Sequence, residues 1–186
     1  LYSVKEDIEV KMKIVTTPMC KDVLKLAGIM EFDTNSYPDS TNADIAVVLS
    51  ETDTTMKSVK IKLNTFTQIK TSVDMLQEMF DTSAMELNFD NNKYLEFDRS
   101  KNRNIKVKVY SNFLRDIVAD LGFTIIYEDP DYLVYPDYMR DLLSNEIVTM
   151  GDRVVEIPSH KNAHKNPIKR AETRYKLLEK KLCMKP

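Results

Sequence analysis

The chain opens on alternation. Between residues 8 and 15, Ile8, Val10, Met12 and Ile14 alternate with Glu9, Lys11 and Lys13, the period-two pattern of a half-buried strand. Thr17-Pro18 follows, a residue suited to an N-cap and then proline at the first helical position. Cys20, Val23, Leu24 and Ala27 lie at the spacing of one apolar helix face, and Gly28 is placed to end that helix. Residues 45–49, Ile-Ala-Val-Val-Leu, are apolar on both faces and predict a central, doubly covered strand. Val59, Ile61 and Leu63 predict another half-buried strand, and Phe66, Ile69, Val73, Leu76 and Phe80 a helix over 65–80. Residues 85–97 read as a hairpin turning at 90–93. The polar stretch 98–104 predicts a mobile surface loop or the boundary between two lobes.

The opening pattern then recurs. Ile105, Val107 and Val109 alternate with Lys106 and Lys108; Ser111-Asn112 suits a cap; Phe113, Leu114, Ile117, Val118 and Leu121 mark a helix face ended by Gly122. At a spacing of 94 residues, Asp22-Val23-Leu24 meets Asp116-Ile117-Val118, and Gly28-Ile29 meets Gly122-Phe123. Any two strand–helix–strand units share this outline, so duplication is one reading and shared architecture the other. Residues 123–127 and 132–135 predict strands. Pro136 can open a helix carrying Met139, Leu142 and Leu143, and 147–157 reads as a hairpin turning at Gly151-Asp152. Residues 159–166 predict a solvated linker. Asn166-Pro167 starts a last helix whose stripe, Ile168, Ala171, Tyr175, Leu178 and Leu182, fits docking along a helix or groove.

Together these elements predict an α/β protein. Its mixed sheet contains parallel βαβ-like units, with helices on both faces and two halves that can be read as pseudo-related. A C-terminal amphipathic helix is added to it. The division expected is an α/β domain over 1–157, with a lobe boundary near 98–104, followed by a basic linker and helix over 158–186.

Composition adds limits. With 186 residues, 42% hydrophobic and 30% charged, the chain suits a packed core without disulfide or metal support. The longest aliphatic run, 45–49, is far short of the ~20 residues that span a bilayer. Two cysteines and no secretory pattern in the first ten residues point to a reducing cytoplasm. The net charge of −2 hides an asymmetry: from Pro158 onward, nine Lys and Arg face two Glu, giving +7, and the remainder carries −9. Such a tail suits either a polyanion or an acidic protein surface, its own included.

Candidate chemistry is sparse. In open α/β sheets, ligands bind where the loops after the strands converge. Those loops here place Thr17, Cys20, Ser111 and Asn112 as the candidate ligand-binding groups, with free helix N–H groups suited to an anion. Three glycines cannot supply a GxGxxG or GxxxxGK[ST] phosphate loop. Cys20 invites two readings, a thiol activated at a helix N-terminus or a buried member of the apolar stripe, and its stripe position favours burial. Cys20, Cys183, His160 and His164 match a zinc set by count alone, without paired spacing, so no metal and no cofactor are expected. Glu51 with Asp53, and Glu128-Asp129 with Asp131, are acidic loops in which surface carboxylates are the simpler reading.

Three functions follow as expectations. The first is a non-catalytic binding or assembly protein whose basic C-terminal helix docks on its own body, a twin subunit or a protein partner. The second is an anionic small-molecule binder or enzyme working at Thr17/Cys20 and Ser111/Asn112. The third is an RNA-associated protein using the tail, with nucleic acid ranked behind protein as a partner. No membrane partner is expected.

Overall fold

A computed structural model describes residues 11–83 and 98–182. The predicted hairpin at 85–97 lies outside the described residues. The strands form two separate sheets, each of four strands and parallel at every pairing. In the first, β1 (Ile14–Thr16), β2 (Asp33–Thr34), β3 (Ile45–Leu49) and β4 (Ser58–Ile61) take the order β2-β1-β3-β4. In the second, β5 (Lys106–Val109), β6 (Thr124–Ile125), β7 (Tyr132–Pro136) and β8 (Val154–Ile157) take the order β6-β5-β7-β8. Fold class, parallel units and C-terminal helix are as the sequence predicts, but the sheet is divided between two units of one topology.

The two units repeat in detail. Lys13 N–H donates to Asp44 Oδ2 at 2.7 Å while Asp44 N–H donates to the Lys13 carbonyl at 2.8 Å. Lys106 and Asp131 make the same reciprocal pair, both bonds at 2.8 Å. Helix α1 (Lys21–Leu26) ends at Gly28, φ +81°, and α3 (Asn112–Asp120) at Gly122, φ +85°. A Cβ on Gly28 would strike the Ser83 carbonyl, and one on Gly122 the Arg99 carbonyl, so both positions require glycine for conformation and for space. Next to each glycine, the carbonyls of Ala27 and Leu121 accept from Thr82 Oγ1 at 2.6 Å and Asn102 Nδ2 at 2.7 Å.

One face of the first sheet, with Ile14, Val47 and Ile61, packs in a core shared with α1 and α2 (Phe66–Phe80). Its other face, with Val15, Ala46 and Val48, lies against Ala43 and Met56. In the second unit the equivalent face carries Leu133 and Tyr135, which pack on Leu143 and Met150 beside α4 (Ser144–Met150). Strand β3 is interior, as five consecutive apolar residues require, with Ile45 to Val48 all buried.

Five local expectations are corrected, the last in part. Strand β1 starts at Ile14, and Met12, expected inward, is half exposed because β2 and β3 provide partners only from Ile14 onward. Thr17 does not cap α1; a turn closed by Cys20 N–H on the Thr17 carbonyl (3.0 Å) intervenes, and the helix starts at Lys21. Residues 147–150 belong to α4 rather than a hairpin: β8 lies parallel to β7, so the chain must cross over, and α4 occupies that crossover. Residues 137–139 form a 3-10 turn in place of the helix expected from Pro136. The stretch 98–104 does lead from one unit to the next, but it holds a 3-10 turn, Arg99–Asn102, whose Asn102 is buried.

The last helix, α5 (Pro167–Leu182), docks on the body of its own chain. Ala171, Tyr175, Leu178 and Leu182 are buried in the same core as both sheets, and Ile168 is partly buried against it. Asn166 Oδ1 caps the helix, accepting from Ile168 N–H at 3.0 Å and Lys169 N–H at 3.2 Å. The helix touches both units: β8 of the second and α2 of the first. None of the described helices is long and apolar enough to cross a membrane.

Candidate binding cleft

The junction of the units begins at the start of α2. Thr65 and Gln68 form a capping box there, and the side-chain Nε2 of the same Gln68 reaches the second unit, donating to Asp116 Oδ2 at 2.9 Å. Asn64 Nδ2 donates to that oxygen at 3.0 Å. Deeper in, the Tyr175 ring meets Phe66 edge-on at 4.9 Å, and its hydroxyl donates to Asp120 Oδ2 at 2.5 Å. Burial and the Asp120 charge push the Tyr175 pKa well up, so the hydroxyl keeps its proton as a donor. Arg99 pairs with Asp120 Oδ1 at 3.1 Å from the other side.

Above this junction lies a cleft of about 630 Å³. Ser50, Glu51, Lys62 and Asn64 line it from the first unit, at the carboxyl ends of β3 and β4. Ser111, Asn112, Phe113, Arg115 and Asp116 line it from the start of α3, with Tyr138 and His160 completing the wall. Ser111 caps α3, accepting from Leu114 N–H at 3.5 Å, and does so at φ +121°, a conformation L-residues rarely adopt. Arg115 Nη2 donates to the Tyr127 hydroxyl at 2.7 Å.

Two buried arginines of α5 stand behind the wall. Arg174 stacks on Phe113, 4.5 Å from guanidinium carbon to ring centroid, and donates through Nε (3.2 Å) and Nη2 (3.0 Å) to the Pro158 carbonyl. Arg170 Nη1 donates to the carbonyls of His164 and Lys165, each at 3.1 Å. Neither has a carboxylate partner among the described residues. Burial, then the charge of Arg170, lowers the Arg174 pKa to about 9. These bonds clasp the 158–165 segment onto α5 and bring His160 beside Phe113, ring centroids 6.0 Å apart. Desolvation there, then the charges of Arg174 and Arg170, lowers the His160 pKa below its ordinary value.

The four residues picked from the sequence separate into two groups. Ser111 and Asn112 line the cleft; Thr17 and Cys20 do not. Cys20 is fully buried on the α1 stripe, and burial pushes its thiol up to about 11, against the lowering effects of Thr17 and Arg170. Cys183 lies outside the described residues. Among those described, no group of three or more His, Cys, Asp and Glu converges as metal ligands would. Asp131 belongs to the Lys106 pair already described, Asp129 takes a turn conformation at φ +48°, and Glu51 joins the cleft wall.

Lys62, Asn64, Arg115, Asp116 and Tyr138 join the cleft with little or no mark in the sequence. Asn64 alone leaves a local trace, as the residue before the cap of α2. The others are surface residues until two units meet. No protein-family model matches this chain, and no curated protein matches it.

Proposed function

We propose that the chain is a binding and assembly protein, not a catalyst, and that the inter-unit cleft receives an extended anionic segment of a protein partner. The observation that carries this reading is the convergence of Ser111, Asn112, Lys62, Arg115 and His160 on one cleft with Arg174 stacked behind its Phe113 wall. The start of α3 favours negative charge through its dipole, although Ser111 Oγ already accepts from Leu114 N–H. Glu51 and Asp116 on the same walls give the cleft both signs, which suits a segment read residue by residue. The junction beneath is packed and hydrogen-bonded, so the walls are held in place before any partner arrives.

Peptides of random flanking sequence, with a central Ser, Glu or phosphoserine, test this by fluorescence anisotropy on the whole chain. The expectation is binding of the anionic series only, weakened about tenfold or more by Lys62→Glu or Arg115→Glu, as loss of a charge-assisted contact implies. Equal binding of the neutral series would refute it. Saturation by inorganic phosphate alone at micromolar concentration would favour the small-molecule reading at Ser111 and Asn112.

A further inference from the structure

Docking α5 on its own body consumes its apolar stripe and turns the opposite face outward. On that face Lys169, Lys176 and Lys180 are exposed, seven and four residues apart, with Thr173 among them. Lys161 and Lys165 precede them, exposed in the segment that leads into the helix, and Lys181 stands on the flank. None of these six lysines pairs with a carboxylate among the described residues, in a chain carrying 29 acidic residues. Glu172 and Glu179, partly buried, border the stripe on one side only. Among the described residues, the helix thus presents a row of lysines without ion pairs, on a chain whose remainder is net acidic.

We propose that this row is a contact surface for the phosphate backbone of duplex nucleic acid, independent of the cleft. At 1.5 Å of rise per residue, Lys169 to Lys180 spans about 16 Å along the helix, and Lys176 stands about 6 Å from Lys180. Lysine is a point charge on a flexible stem, suited to phosphate without fixed geometry. The only aromatic residue of the described helix, Tyr175, is fully buried, so the row has no platform on which unpaired bases could stack. A duplex presents its phosphates outward and asks for no such platform. Docking and phosphate contact use opposite faces, so a helix fixed to the body serves as a rigid rail rather than a floating arm.

The test is fluorescence anisotropy of the whole chain with a labelled mixed-sequence DNA duplex of about 20 base pairs, at two salt concentrations fourfold apart. About three phosphate contacts, at a slope of about 0.9 each, predict an affinity falling about 40-fold between them. Lys169→Gln, Lys176→Gln and Lys180→Gln combined should weaken binding at least tenfold with circular dichroism and melting temperature unchanged. Three results would each overturn the proposal. They are no binding at low salt, the same affinity in the folded triple variant, and tighter binding of single-stranded RNA or polyglutamate than of the duplex. Concentration-dependent self-association that the triple variant abolishes, without duplex binding, would overturn it too and assign the row to a second copy instead.

Discussion

At the scale of the residue, burial decides chemistry. Cys20 and Arg174 both sit where water is excluded, and both lose the charge-favouring solvation that an exposed group keeps. Glu156 shows the opposite case. Arg140 forks onto it, Nε to Oε2 at 2.7 Å and Nη2 to Oε1 at 2.6 Å, and this holds its carboxyl below the usual range. A carboxyl more acidic in the folded chain contributes stability above its unfolded pKa of about 4.3, and loses it as pH falls through the folded value. Arg140 is 68% exposed, so solvent screens the pair and the contribution is modest. Glu156→Gln should therefore lower the urea midpoint modestly at neutral pH and leave it close to the parent's below the folded carboxyl value, so that the acid limb of midpoint against pH is flatter.

At the scale of the element, α5 carries two faces with different duties. Leu178 is fully buried, and Leu178→Asp would place an unpaired carboxyl in the core in addition to the lost packing. Its cost should exceed about 3 kcal/mol, seen as a collapse of the urea midpoint. Lys176→Glu on the outward face should stay within about 0.5 kcal/mol of the parent in the same titration. That difference is legible in the helical period of the sequence alone. The start of α1 is not: Thr17-Pro18 carries a capping signal, yet a turn uses those residues first. Residues 147–150 are ambiguous for a related reason, because Ile-Val-Thr-Met suits a strand or a short helix, and only the parallel placement of β8 selects the helix.

At the scale of the whole molecule, the two units share one continuous core, with α5 packed on β8 of one and α2 of the other. Unfolding should be a single cooperative transition, with calorimetric and van't Hoff enthalpies in agreement. Tyr175 joins Phe66 of the first unit to Asp120 of the second. Tyr175→Ala removes the ring and leaves Asp120 without that donor. The expected result is a loss of about 3–5 kcal/mol and separation of the melt into two transitions, measured by scanning calorimetry.

The sequence by itself determined the α/β class, the interior strand at 45–49, the faces of α2, α3 and α5, and the two helix-ending glycines. These follow from periodicity and backbone sterics, which act over a few residues and leave their mark locally. Of the four ligand-binding candidates it offered, two line the cleft, since Ser111 and Asn112 stand where a strand hands over to a helix. The sequence outlined two related halves and a boundary near 98–104; that each half builds its own sheet, that Thr17 and Cys20 lie away from the cleft, and that Lys62, Arg115 and His160 join it were decided by tertiary structure. A sheet's partners and a cleft's walls are chosen by which surfaces bury together, and residues about 50 apart, such as Gln68 and Asp116, carry no local sign that they will meet.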